Sequence, residues 1–130
     1  MKNFSFRDLT VYKKSFELAM DIFHESKNFP EEEKYGLTTQ IRKSSRSVCS
    51  CIGEGYRKRI YKKHFVSKIT DSDMENSETQ VWLDFALGCE YITKEKYDNF
   101  NNRSEEIGRM LNHMIENPEK YLRKNEKFLN

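Results

Sequence analysis

Between residues 40 and 70 the chain carries nine lysines or arginines, Arg42, Lys43, Arg46, Arg57, Lys58, Arg59, Lys62, Lys63 and Lys68, against one acid, Glu54. That segment has a net charge of +8, so the remainder sums to −6 within a whole of +2. Clustered cations of this kind pair with phosphates and release their counterions. Tyr56, Tyr61 and His64 lie close enough in sequence to stack on bases or hydrogen-bond to them. The alternative is a solvated loop, or ion pairing with acids of a neighbouring helix.

Other reactive side chains do not combine into a site. His24, His64 and His113 have no nucleophile or metal motif beside them. Cys49, Cys51 and Cys89 are odd in number and contain no CxxC. A zinc site needs about four ligands, and Cys49 and Cys51 point about 200° apart on a helix, so the cysteines read as reduced, helix-packing thiols. Gly53, Glu54 and Gly55 lack the preceding strand and the Lys-Ser/Thr ending of a phosphate loop. Glu54 reads as a helix-end carboxylate paired with a nearby arginine rather than as a general base. The expectation is a non-enzyme without metal or cofactor. The first residues contain no apolar run of signal-peptide length, and no run approaches about 18 apolar residues. A cytoplasmic protein with no membrane partner is expected.

The elements that must carry these residues are helical. With 130 residues, 36% hydrophobic and 34% charged, the chain can build one slim core, and no segment alternates with strand periodicity. Helix 1 shows Leu9, Tyr12, Phe16, Ala19 and Phe23 at 3-4 spacing, with a second stripe of Val11, Leu18, Ile22 and Phe29 beside it. One core needs one stripe, so the other implies a further surface to cover, either a third neighbour or a partner subunit. Pro30 ends that helix, and Glu31, Glu32 and Glu33 suit the start of a short turn closed by Gly36. Helix 2 presents Leu37, Ile41, Ser44, Ser45, Val48, Ile52 and Gly55. Its small residues allow close backbone approach, and Gly53 and Gly55 weaken its last turn.

Helix 3 runs from about Ile60 to Gly88, a glycine suited to follow a helix end. Its stripe is Phe65, Ile69, Ser72, Asn76, Thr79, Leu83 and Ala86, polar in the middle. Such a layer either packs with every group paired or lines water or a small-molecule cleft. Lys62 and Lys63 begin this helix and acids follow, an order opposed to the helix dipole, which leans toward binding. Helix 4 follows the N-cap Thr93 with Tyr97, Phe100, Ser104, Ile107, Leu111 and Met114, and stops before Pro118. The expected fold is all-α, an antiparallel up-down-up-down four-helix bundle over 1–117. A tail over 118–130 either docks through Tyr121 and Leu122 or frays; it also carries Phe128 and Leu129.

The stretches 6–9 (FRDL), 29–55 (FPEEEKYGLTTQIRKSSRSVCSCIGEG) and 78–92 (ETQVWLDFALGCEYI) resemble the bacterial four-helix-bundle proteins encoded by intervening sequences in large-subunit ribosomal RNA genes, often labelled ribosomal proteins. More distantly, the chain is similar to the accessory protein of diversity-generating retroelements. Matching positions are Phe29, Pro30, Glu33, Tyr35, Gly36, Leu37, Gln40, Ile41, Arg42, Ser47, Glu54 and Gly55; we read them as setting helix 1 against helix 2 and shaping a subunit contact. The chain departs from the family pattern at 51–55 and at 70–73, where Asp71 and Asp73 add charge to helix 3. The resemblance implies a homopentamer with a basic surface for RNA or DNA and no catalytic residues.

Two functions follow as expectations. The first is a non-catalytic, homo-oligomeric nucleic-acid-binding protein, RNA favoured over DNA, using the nine cations at the corner of helices 2 and 3. The second is a protein–protein adaptor or scaffold, for example an accessory factor to a reverse transcriptase, using the wide apolar face of helix 1 and the tail aromatics.

Overall fold

A computed structural model describes residues 4–121. It contains four α-helices, α1 (Thr10–Ser26), α2 (Leu37–Arg57), α3 (Lys62–Gly88) and α4 (Lys94–Glu116), and no strand among the described residues. Short 3-10 turns at Phe6–Asp8, Glu31–Glu33 and Pro118–Tyr121 flank them. Cross-helix contacts set the directions. Ser44 meets Thr79 while Val48 meets Ser72, so α2 and α3 are antiparallel. Asp84 meets Tyr97 while Asn76 meets Ser104, so α3 and α4 are too. Between α1 and α4, the pairs Lys14–Glu106 and Lys96–Glu25 run the same way. The result is the expected antiparallel bundle.

The stripes read for α2, α3 and α4 form the core. Ile41, Val48 and Ile52 meet Phe65, Ile69 and Leu83, with Phe100, Ile107, Leu111 and Met114 closing the far side. A Cβ on Gly55 would stand 2.9 Å from Ile69 Cδ1 and 3.3 Å from Lys68 Cβ. Glycine there lets α3 lie against α2. The middle of the core is polar and packed. Ser72 donates to the Val48 carbonyl (2.8 Å) and Thr79 to Ser44 Oγ (2.8 Å). Asn76 donates to the Ser104 carbonyl (2.9 Å) and accepts from Ser104 Oγ (2.8 Å), which in turn accepts from Gln80 (3.0 Å). The void beside this layer is about 10 Å³, the room of one water at most, which excludes the small-molecule cleft. Ser15 Oγ, at its edge, is buried without a partner among the described residues.

Helix α1 corrects the reading of its two stripes. The core takes Val11, Leu18 and Ile22, completed by the buried Ser15 and Ser26. In the unbroken apolar heptad, Ala19 is buried, Leu9, Tyr12 and Phe23 are only partly so, and Phe16 is 49% exposed. Two serines hid the core face from a hydrophobicity count, and an intact 3-4 pattern does not say which of two faces meets the core.

The ends have local causes. Thr93 Oγ1 accepts from the Lys96 amide at 3.1 Å, the expected N-cap. Glu33 acts beyond its own turn: Oε1 accepts from the Leu37 amide (3.0 Å), capping α2, and Oε2 accepts from the Tyr91 hydroxyl (2.9 Å). Gly88 is not the residue past the end of α3. Glu90 takes that place with φ 63°, while the Tyr91 amide reaches the Ala86 carbonyl (2.8 Å) and the Glu90 amide reaches Leu87 (2.9 Å), a Schellman closure built on glutamate. Tyr121 docks on Phe65, ring centroids 6.3 Å apart, with its hydroxyl 2.8 Å from His113 Nδ1. Leu122, Phe128 and Leu129 lie outside the described residues.

Candidate nucleic-acid interface

The nine cations divide into those the fold uses and those it leaves. Arg42 reaches back to the end of α1, donating from Nε to Ser26 Oγ (2.8 Å) with its guanidinium 4.7 Å from the centre of the Phe23 ring. It fixes α1 against α2, as read for this motif position. Arg59 is buried. It donates to the carbonyls of Tyr56 (2.7 Å) and Tyr121 (3.3 Å) and lies 3.5 Å from the Tyr56 ring centre, clamping the end of α2 to the turn after α4. Lys62 pairs with Glu119 at 2.8 Å, and this contact holds the Glu119 carboxyl below its usual range. Its place at the start of α3 therefore has a folding reason that the dipole argument lacked. Lys68 pairs with Glu54 (3.5 Å) and Asp71 (3.9 Å), so the partner of Glu54 is a lysine rather than an arginine.

Lys43, Arg46, Arg57, Lys58 and Lys63 remain exposed, with no ion pair among the described residues. Arg57, Lys58 and Lys63 stand where α2 hands over to α3, and Lys43 and Arg46 lie further back along α2. At about 100° per residue, Lys43, Arg46 and Arg57 fall with Thr39 and Ser50 on the face of α2 turned away from the core. This stripe runs about 21 Å, from Lys43 to Arg57, at 1.5 Å per residue. Lys58 follows at the C-cap of α2, and Lys63 stands in the first turn of α3. A helical wheel drawn on predicted helix 2 contains this alignment; counting charges along the chain does not.

Beside the stripe lies a feature that sequence reasoning placed only as a surplus apolar face. Phe6, Tyr12, Phe16, Met20 and Gly53 line an open groove of about 610 Å³ between α1 and α2, with the charged Arg46, Glu54 and Arg57 also lining it. The Phe6 ring packs edge-on to Tyr12 (5.1 Å) and over the bare Cα of Gly53, where a Cβ would sit 3.5 Å from it.

The cysteines take packing roles. Cys51 is buried and Cys49 half-buried; burial pushes the Cys49 thiol up to about 11 and raises that of Cys51, so both are protonated near neutrality. Among the described residues no group of three or more His, Cys, Asp or Glu is placed to hold a metal ion, and no helix is long and apolar enough to cross a membrane.

Fold and surface together define an all-α four-helix-bundle protein with a cationic outer face on its second helix. The chain belongs to the 23S rRNA-intervening sequence protein family, whose family model matches residues 7–113. A solved structure from Bacteroides thetaiotaomicron, described as a protein with unknown function from the S23 ribosomal protein family, is similar to it. The TM-score is 0.75 and the identity 32%, over 82% of this chain and 98% of that one. No curated protein matches the chain.

Proposed function

We propose that this protein is a non-catalytic, cytoplasmic nucleic-acid-binding protein that works as a homo-oligomer, five copies by its family resemblance. The observation that carries the reading is the set of five exposed cations, Lys43, Arg46, Arg57, Lys58 and Lys63, left without carboxylate partners among the described residues and strung along the outside of α2 and into α3. The binding surface is thus a stripe on α2 rather than the full corner of nine residues. RNA is the first polyanion to test, because the family description refers to a 23S rRNA intervening sequence. On this reading affinity comes from phosphate neutralisation and repetition of the stripe. Three to five phosphate contacts per copy give a slope of log K against log salt of roughly −3 to −4.5. Repetition across one polyanion then adds avidity, on the order of 10²–10⁴ where geometry allows simultaneous contact. The test is binding of structured RNA across a salt series, with the wild type beside a Lys43→Glu/Lys58→Glu/Lys63→Glu variant.

The apolar groove favours a second reading, a protein–protein adaptor such as an accessory factor to a reverse transcriptase. Nuclease treatment during affinity capture separates the two: partners lost with the nucleic acid support the first, and partners retained support the second.

A further inference from the structure

Where α1 ends against α2, cations collect without a counter-charge. Around the Phe23 ring, the Arg42 guanidinium lies 4.7 Å from the ring centre, the Lys27 ammonium 4.8 Å and the Arg46 guanidinium 5.6 Å. Lys43 follows Arg42 on α2. The acids within reach are committed elsewhere. Asp21 and Glu25 of α1 turn to α4, where they pair with Arg103 (2.9 Å) and Lys96 (3.7 Å). Glu33 caps α2 and meets Tyr91. Glu54, the one acid of α2, pairs with Lys68. Like charges held this close repel, and among the described residues no carboxylate offsets them.

The cations open onto a cleft. Thr39, Arg42, Lys43, Arg46, Ser47 and Ser50 line a hollow of about 550 Å³ on the outside of α2, with no acid and no large apolar side chain in its wall. At about 100° and 1.5 Å per residue, the six fall within an arc of about 140° over about 16 Å of helix. Some of the donors are set in advance. Arg42 donates from Nε to Ser26 Oγ (2.8 Å) and from Nη2 to the Phe23 carbonyl (3.5 Å), which fixes the plane of the guanidinium and leaves Nη1 without a hydrogen-bond partner among the described residues. Thr39 donates to the Lys34 carbonyl and Ser50 to the Ser47 carbonyl (3.2 Å), whereas the Ser47 hydroxyl bonds to none of the described residues.

We propose that this cleft is a seat for a phosphomonoester. A guanidinium presents its N–H groups in a planar fork that matches phosphate oxygens, and the Ser47 hydroxyl supplies a neutral donor beside two such forks. Charge selects the ester. A phosphomonoester carries about −1.5 to −2 near neutrality, a diester within a strand about −1, and attraction to an acid-free group of cations grows with that charge. The wall offers no ring on which a base could stack, so the phosphate is what the cleft holds. Two sources carry the group: the phosphorylated end of a nucleic-acid strand, which rests on the proposed function and deepens it, and a free phosphate compound.

The experiment uses the full chain. Inorganic phosphate is titrated at constant ionic strength while the backbone amide signals of residues 39–50 are followed by NMR. Saturable shifts in the millimolar range are expected, lost in Arg46→Gln/Ser47→Ala and retained in Lys58→Glu/Lys63→Glu. Arg46 is exposed and the Ser47 hydroxyl unpaired among the described residues, so the first variant keeps the fold, which circular dichroism checks. Shifts that never saturate in the wild type, or that saturate equally in Arg46→Gln/Ser47→Ala, overturn the proposal. One RNA prepared with and without a terminal phosphate then identifies the source. A strand end gives about tenfold tighter binding of the phosphorylated form, a preference that Arg46→Gln/Ser47→Ala abolishes. Equal binding of the two forms by a protein that saturates with phosphate supports the seat and assigns it to a free phosphate compound. Salt-dependent RNA binding without saturation by phosphate removes the seat and leaves the nucleic-acid reading standing; saturation by phosphate without RNA binding removes that reading and leaves the seat.

Discussion

Helices α3 and α4 sit side by side and are built in opposite ways. Helix α4 buries Phe100, Ile107, Leu111 and Met114 and turns charge outward. Helix α3 buries Ser72, Asn76 and Thr79 in the middle of its core face and leaves Met74, Val81 and Phe85 in solvent. A helix with one neighbouring core concentrates apolar residues on one face. Helix α3 divides them between two. The buried hydroxyls and amide are not a defect, since each is hydrogen-bonded to α2, to α4 or within α3.

The contrast can be broken most strongly at α4. Leu111→Ala, at a fully buried site, is expected to cost about 2–5 kcal/mol in urea unfolding. Phe85→Ala, despite its larger side chain, is expected to change stability by no more than about 0.5 kcal/mol, because the ring is 57% exposed. Equal effects would place the outer face of α3 in the core. Next in size is the polar layer. Asn76→Ala takes away the acceptor of the buried Ser104 hydroxyl proton and a second donor to the Ser104 carbonyl and is expected to destabilise by about 1–3 kcal/mol; a neutral result would mean the layer is wet. Smaller, and of opposite sign, is the end of α3. Glu90→Gly removes a side chain from a left-handed φ of 63° and is expected to stabilise by about 0.5–1 kcal/mol, read as a rise in melting temperature.

The smallest effect is in the alkaline titration. Tyr91 is raised to about 12 by its hydrogen bond to Glu33, and Tyr97 likewise by its bond to Asp84. Because the folded values lie above the unfolded value near 10, the stabilisation is fully present below pH 10 and is lost as pH rises toward 12. Burial raises Tyr121 as well, so absorbance of tyrosinate should show several late-ionising phenols, one of which disappears in Tyr91→Phe. Titration of all seven tyrosines together near 10 would contradict the hydrogen-bonded geometry.

Sequence periodicity carried most of the fold because three helices have one core face each with unbroken 3-4 spacing. It misassigned α1, where Ser15 and Ser26 belong to the core and Phe16 does not. Residue type alone cannot tell a face that meets the core from one that lines a groove. The candidate site was legible as composition but not as geometry. Arg42 and Arg59 look like their neighbours in the chain, yet their partners, Ser26 and Tyr121, stand 16 and 62 residues away. Pairing at that range decides which cations are left for a ligand, and no local pattern reports it. The closure of α3 at Glu90 was missed for a simpler reason: glycine is the usual residue there, and Gly88 stood two positions away.

If the protein holds a polyanion, the exposed cations outside α2 and at the start of α3 are the groups that do so. The most direct measurement is the affinity of the wild type for a structured RNA between 50 and 200 mM salt, beside Lys43→Glu/Lys58→Glu/Lys63→Glu. The account predicts a loss on the order of 10²-fold for the wild type across that range. It predicts a variant that binds at least about tenfold more weakly at the lower salt, with a slope shallower by about 1 for each lysine reversed. Affinity that is flat with salt, or unchanged in the variant, would contradict it.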